Sequence, residues 1–244
     1  MMACLELKNI RFSYGGAQSV KDFSLSAGKG GLTGLIGPNG AGKSTVLKLA
    51  CGILKPAGGE IKLFGKDLKD YPPKERAKLV SYLPQLIDVN IPFTVRELIG
   101  IGLYPRDAKA SPHETDEAME AVGLRGKRDS PVMELSAGER RRAFIAMSLV
   151  QGSSLLLLDE PLANLDLKYQ IGLVRLLRKI IEERGISVVM ALHDINTAFS
   201  LHSVCVIKDG CMYAHGAPRQ TITKDVLKEV FEVDWENFPT PAAP

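Results

Sequence analysis

Residues 37 to 45 read Gly37-Pro38-Asn39-Gly40-Ala41-Gly42-Lys43-Ser44-Thr45 and fit the pattern G-x-x-x-x-G-K-[ST] at every fixed position. That pattern commits the chain to a strand, a glycine-rich turn and a helix that begins on the turn. The flanks agree: Leu32-Thr33-Gly34-Leu35-Ile36 is apolar enough for a buried strand, and Val46 to Ala50 continues as helix. Glycines let the backbone curl its N–H groups around anionic oxygens, and the helix adds its positive N-terminal end. The predicted ligand is a nucleoside triphosphate. Lys43 would reach its β- and γ-phosphates, Ser44 would offer a hydroxyl to Mg²⁺, and Thr45 would support the first helical turn.

A second set of residues suits the same chemistry. The apolar run Leu155-Leu156-Leu157-Leu158 ends in Asp159-Glu160, and Ile186 to Leu192 is a second continuous apolar run followed by His193. Unbroken apolar runs mark parallel strands covered on both faces. Between them Leu167, Ile171, Val174, Leu177 and Ile181 recur at helical spacing, predicting a βαβ unit with an amphipathic crossover helix. Strand ends on one rim of a doubly wound sheet converge on one crevice, so the acids and His193 are expected near the phosphates. Asp159 then suits Mg²⁺, directly or through water. Glu160 suits general-base work on the attacking water, a role worth about two to four orders of magnitude in rate. His193 is read as a γ-phosphate contact or an orienting partner for the water, and Asp194 as the cap of the next helix.

The remaining segments predict an α/β chain with additions. Leu5 to Phe12 and Gly59 to Phe64 alternate apolar and polar residues, as half-buried edge or antiparallel strands do. From about Ile87 to Gly152 strand patterns give way to three helical stretches, Phe93 to Leu103, Glu114 to Val122 and Ser136 to Val150, as in a helical insertion. After His193 come a short helix, strands around Val204 to Ile207 and Cys211 to Ala214, and a helix from Lys224 to Glu232. The Pro-rich stretch beyond Phe238 is expected to be mobile.

Composition excludes several classes. No stretch approaches the roughly 18 apolar residues of a membrane span, and the N-terminus lacks a signal-peptide layout, so a cytosolic chain is expected. Cys4, Cys51, Cys205 and Cys211 stand singly, without the spacing of a zinc site or disulfide framework, and read as buried thiols. A net charge of +3 argues for no nucleic-acid partner. The one dense basic run, Arg140-Arg141-Arg142, reads as a solvated or partner-facing helix surface.

With Leu135-Ser136-Ala137-Gly138-Glu139 placed just upstream of Asp159-Glu160, nearly the whole chain resembles the ATP-binding subunit of an ABC transporter. The family's signature is usually Leu-Ser-Gly-Gly-Gln. Ala137 puts a methyl group where backbone approaches phosphate, and Glu139 a carboxylate near an anionic ligand. Ser136-x-x-Glu139 is also a helix capping box, and the two readings are compatible. The resemblance implies an α/β P-loop ATPase with a mostly parallel core sheet, an antiparallel β subdomain and an inserted α-helical subdomain. Its parts within a single domain, 1–244, would be a catalytic core over 1–86 and 153–215, a helical signature subdomain over 87–152, and a C-terminal helix and tail over 216–244.

It further implies ATP and Mg²⁺ as ligands and a head-to-tail homodimer in which Ser136, Ala137, Gly138 and Glu139 close over ATP held by the other copy. Tyr14 matches the aromatic residue that stacks on adenine. Gln85 matches the glutamine linking metal and water to the helical insertion and membrane partner. Asp166, in Ala163-Asn164-Leu165-Asp166, matches the loop crossing the dimer interface and is a candidate N-cap. Partners would be transmembrane permease subunits and, indirectly, a substrate-binding protein, with this chain peripheral on the cytoplasmic face of the cell membrane. Lys69 to Leu79 and Glu139 to Ala146 look most like importer ATPases for iron-siderophore, haem or cobalamin uptake, and the short stretch after Gly216 argues against an added regulatory domain. Two alternatives stay open: a soluble ABC ATPase in an assembly role such as iron-sulfur cluster assembly, or an ATP-binding module with little turnover.

Overall fold

Alternation over Leu5 to Phe12 produces β1 (Ala3–Tyr14), with Leu5, Leu7 and Ile10 buried while Lys8 and Arg11 are exposed. The computed structural model describes residues 3–86, 92–106 and 112–234. Ile87, where the helical insertion was expected to start, and the stretch beyond Phe238 lie outside them. Two compact units divide the chain: residues 1–68 with 189–244, and residues 69–188.

In the first unit β1 turns through Gly15-Gly16 into β2 (Ala17–Gly28). The chain then enters β3 (Leu32–Ile36), buried at every residue, and α1 (Lys43–Ala50). After β4 (Gly58–Leu63) and β5 (Lys66–Asp67) an antiparallel sheet is complete, in the order β2-β1-β4-β5. The antiparallel expectation holds, but neither β1 nor β4 is an edge. The edges are β5, with two residues, and β2. The alternation of β2 breaks between Val20 and Phe23, where Asp22 takes φ 45° and the pairing with β1 shifts register.

The second unit opens with α2 (Pro73–Leu79) and β6 (Val80–Leu83). Its helices α3 (Val95–Ile101), α4 (Pro112–Ala121) and α5 (Ala137–Gln151) fall on the three helical stretches of the sequence. Thr94 caps α3 through a capping box with Glu97, and Ser136 caps α5 through one with Glu139. Then β7 (Leu155–Leu158), buried throughout, lies parallel to β6, with Leu83 opposite Leu158. The crossover helix α6 (Leu167–Arg184) buries Leu173, Val174, Leu177, Ile180 and Ile181. Leu167 and Ile171, expected on that stripe, are 71% and 44% exposed. The covered face of α6 begins only at Leu173, so periodicity alone overextended it.

The unit boundary falls inside β8 (Ser187–Leu192), which is buried along its length. In the second unit its start adjoins β7, where Ser187 donates its N–H to the Ser154 carbonyl at 2.9 Å. In the first unit its remainder leads to α7 (Ile195–Ala198), capped by Asp194 as expected. The chain continues through β9 (Ser203–Lys208), β10 (Cys211–Gly216), α8 (Pro218–Thr221) and α9 (Lys224–Phe231). Strand order in this unit is β10-β9-β3-β8, with β3 parallel to β9 and β10 antiparallel at the edge.

Cys4, Cys51 and Cys205 are buried, and burial pushes the Cys205 thiol up to about 12. Cys211 corrects the expectation of four buried thiols. It is exposed because it opens edge strand β10 directly after the Asp209-Gly210 turn.

Candidate functional site

In the first unit β3 delivers the chain into Gly37 to Gly42, and two glycines there admit no side chain. A Cβ on Gly37 would strike the Ile207 carbonyl of β9, and Gly42 holds φ 104° with the Ser19 carbonyl 2.8 Å from where its Cβ would stand. The loop is braced on its outer side, since Gly210 donates to the Ala41 carbonyl at 3.1 Å and Lys21 to the Gly210 carbonyl at 2.8 Å. Inside it, the Lys43 ammonium donates to the carbonyls of Gly37 at 2.7 Å and Pro38 at 2.9 Å. Thr45 sits 3.3 Å from the Ser19 hydroxyl, which ties the first turn of α1 to β2. No side chain caps α1 at Gly42, and a helix start of this kind, with an ammonium beside it, suits an anion. Ser19 and Lys21 were not legible as loop supports, because strand β2 was not.

Tyr14 and His193 belong to the same unit. Tyr14 ends β1, about half exposed, with its ring edge-on to Phe12 at 4.8 Å between centroids and 83° between planes. That presents a fixed aromatic surface. His193 is exposed immediately after β8, one residue before the α7 cap.

In the second unit the parallel pairing of β6 with β7 sets the acids. Asp159 donates its N–H to the Leu83 carbonyl at 2.9 Å, continuing the ladder, and its carboxylate accepts the Tyr82 hydroxyl at 2.9 Å. Glu160 follows with φ 48°, the left-handed region that a glutamate rarely adopts, and is 8% exposed. Its Oε2 accepts the Gln85 amide N–H at 2.6 Å. The structure therefore joins two residues selected separately from the sequence. A carboxylate set at a strand end, with one oxygen engaged by the Gln85 amide, is held in a fixed orientation.

At the start of α5 the Ser136 hydroxyl accepts the Glu139 N–H at 3.3 Å, while the Glu139 carboxylate takes the Ser136 N–H at 3.0 Å and hydroxyl at 2.9 Å. Those bonds to Ser136, with Lys127 and Arg142 nearby, hold the Glu139 carboxyl below the usual range. Glu139 is thus turned back into the cap. Ala137 opens the helix and Gly138 lies beside Leu165 and Tyr169. Asp166 occupies the N-cap position of α6, but its side chain makes no capping bond there, and the Leu165 carbonyl is met instead by Gln170 at 2.9 Å.

Within the arginine run, expected on a solvated or partner-facing helix surface, Arg141 is buried instead, while Arg140 and Arg142 are partly exposed. Arg140 donates to the Leu135 carbonyl, Arg142 to the Val122 carbonyl, and Arg141 is buried at 7% exposure. Its guanidinium donates to the carbonyls of Pro161, of Ala163 at 3.3 Å and of Gln85 at 3.2 Å. Burial lowers its pKa, though a guanidinium stays charged at any working pH. The signal was present in the spacing: Arg141, Ile145 and Ser148 share the buried face of α5.

A family model described as ABC transporter matches residues 20–163. The iron(3+)-hydroxamate import ATP-binding protein FhuC of Bacillus subtilis is 36% identical over 96% of this chain and 90% of its own length. The hemin import ATP-binding protein HmuV of Bradyrhizobium diazoefficiens is 37% identical with the same coverage. Among solved structures, a dimeric post-hydrolysis state of the ATP-binding cassette MJ0796 bound to ADP and Pi superposes with a TM-score of 0.77. It is 26% identical and covers 88% of this chain and 99% of that one.

Proposed function

This chain belongs to the ABC transporter family, and on that premise we propose that it is the ATP-hydrolysing subunit of an importer for iron-siderophore, haem or cobalamin-type metal chelates. The cargo class draws its support from the hydroxamate and hemin import relatives, each matched over nearly the whole chain. The hydrolytic reading is carried by one observation, the Gln85–Glu160 hydrogen bond at the end of an apolar strand. Within one domain, 1–244, the functional parts are a core over 1–86 and 153–215, a signature subdomain over 87–152 and a C-terminal part over 216–244.

In this reading Gly37, Pro38, Asn39, Gly40, Ala41 and Gly42 wrap the phosphates with backbone N–H groups, and Lys43 turns its ammonium from loop carbonyls to phosphate oxygens. Thr45 steadies the turn, and Tyr14 stacks on adenine. Water attacks the γ-phosphorus, the bond to the ADP oxygen breaks, and the water proton passes to Glu160 while Gln85 and His193 orient the reacting oxygen atoms. The Ser44 hydroxyl, the Gln85 amide oxygen and the Asp159 carboxylate are all hard oxygen donors with a single charge among them. That set fits Mg²⁺, which takes one or two carboxylates together with waters and substrate phosphates. When bound, Mg²⁺ supplies charge neutralisation on the β- and γ-phosphate oxygens. The Gln85 amide already gives its N–H to Glu160, so its carbonyl oxygen is the atom it has to offer a cation.

Ser136, Ala137, Gly138, Glu139 and Asp166 of one copy serve ATP held by a second. The dimeric relative and the exposed Leu167, Tyr169 and Ile171 just after Asp166 support that pairing. Among the described residues no helix is long and apolar enough to cross a membrane. The import ATP-binding relatives support partnership with transmembrane permease subunits and, indirectly, a binding protein, with this chain on the cytoplasmic face.

Ser136→Arg tests the shared site. It is expected to lower hydrolysis about 100-fold, as loss of a transition-state donor does, while a monomer binds ATP as before. The cap also goes, at a cost of about 1 kcal/mol, so thermal unfolding should be followed alongside. Equal loss of binding and turnover in a folded variant contradicts the trans role.

A further inference from the structure

We propose that Arg141 is a positioning residue that holds the Gln85–Glu160 pair from its backbone side and couples that pair to the signature end of α5. The proposal rests on the reading of Glu160 as the base. Arg141 lies five residues beyond Ser136 on the same helix and is almost fully buried. A guanidinium is costly to bury unless its donors are engaged, and its terminal nitrogens engage three backbone carbonyls. One belongs to Gln85 itself and another to Pro161, the residue next to Glu160. The side chains of Gln85 and Glu160 are bonded to each other at 2.6 Å, so Arg141 grips the main chain at both ends of that bond.

Two further observations fit a clamp better than a simple packing role. Glu160 sits at φ 48°, a conformation a glutamate rarely adopts, and Arg141 donates to the carbonyl of the residue that follows it. The Arg141 Nε, in contrast, is buried with no hydrogen-bond partner. The guanidinium is thus oriented to serve the three carbonyls at the expense of its own satisfaction. Because the fork is planar and rigid, a shift of α5 on engaging a nucleotide passes directly to Gln85 and Glu160. Water activation is then linked to signature engagement.

The test is steady-state ATPase kinetics and ATP binding on Arg141→Met and Arg141→Lys, each alone and combined with Glu160→Gln, with thermal unfolding as the control for folding. Either variant should lower kcat about 10- to 100-fold, the scale of a 1 Å misplacement, with KM and ATP affinity unchanged within about 2-fold. On the Glu160→Gln background neither should lower turnover further, because the group being positioned is already disabled. Lys keeps the charge without the fork, so it remains informative if the Met variant fails to fold. A folded variant with wild-type kcat, a KM effect alone, or the same fold-loss on both backgrounds overturns the proposal. If Glu160→Gln itself turns over normally, the base assignment fails whatever Arg141 does. If Glu160→Gln stalls and the losses add, only the role of Arg141 falls.

Discussion

Glu160→Gln is expected to bind ATP with wild-type affinity, to hydrolyse it about two to four orders of magnitude more slowly, and to accumulate as an ATP-bound dimer. The size of the effect follows from what the substitution removes. The amide of a glutamine is nearly isosteric with the carboxylate, and its carbonyl oxygen can still accept the Gln85 N–H that Glu160 now accepts at 2.6 Å. Geometry is retained while basicity is lost, so the change falls on the chemical step and leaves ground-state binding intact. Rapid-quench hydrolysis and size-exclusion chromatography in ATP read the two parts separately. Turnover within about 10-fold of wild type would show that another group takes the proton.

Lys43→Ala acts on the other side of the ledger between binding and rate. Lys43 is buried and its ammonium holds the Gly37 and Pro38 carbonyls, so truncation removes a charge from the phosphates and unpins the loop that should enclose them. Charge-assisted hydrogen bonds contribute about 1.5–3 kcal/mol each, and losing one or two weakens ATP binding by about 10- to 1,000-fold or more. Nucleotide titration measures it directly. Unchanged affinity and hydrolysis would remove the phosphate-loop assignment, and with it the first step of the mechanism.

Which parts were legible in the sequence follows from how far apart the interacting residues lie. Local signals carried well: the unbroken apolar runs of β7 and β8, the Ser136–Glu139 capping box and the Asp194 cap all depend on neighbours within a few residues. Strand β2 was hidden because its alternation breaks near Asp22. Strand β6 was hidden because four residues, including a Ser81 bonded to Ser153, are too few and too polar to show a period. Without β6 nothing local connects Gln85 to Glu160, which are 75 residues apart. Arg141 was concealed by composition, since three adjacent arginines read as a wet surface until their helical spacing is compared with Ile145 and Ser148. On α6 the error ran the other way, and a regular apolar stripe was extended over Leu167 and Ile171, which the fold leaves exposed.

The central claim is that one hydrolytic site takes its phosphate loop and base from one copy and its signature from another. Mixing Glu160→Gln with Ser136→Arg tests it, because both variants retain ATP binding and each alone is inactive. In a mixed dimer the site with the loop and base of the Ser136→Arg copy and the signature of the Glu160→Gln copy is intact. When the two are mixed before ATP is added, random pairing into two-fold dimers restores an initial hydrolysis rate of about a quarter of wild type. If each copy builds its site alone, the mixture stays as inactive as its two components, and the account is contradicted.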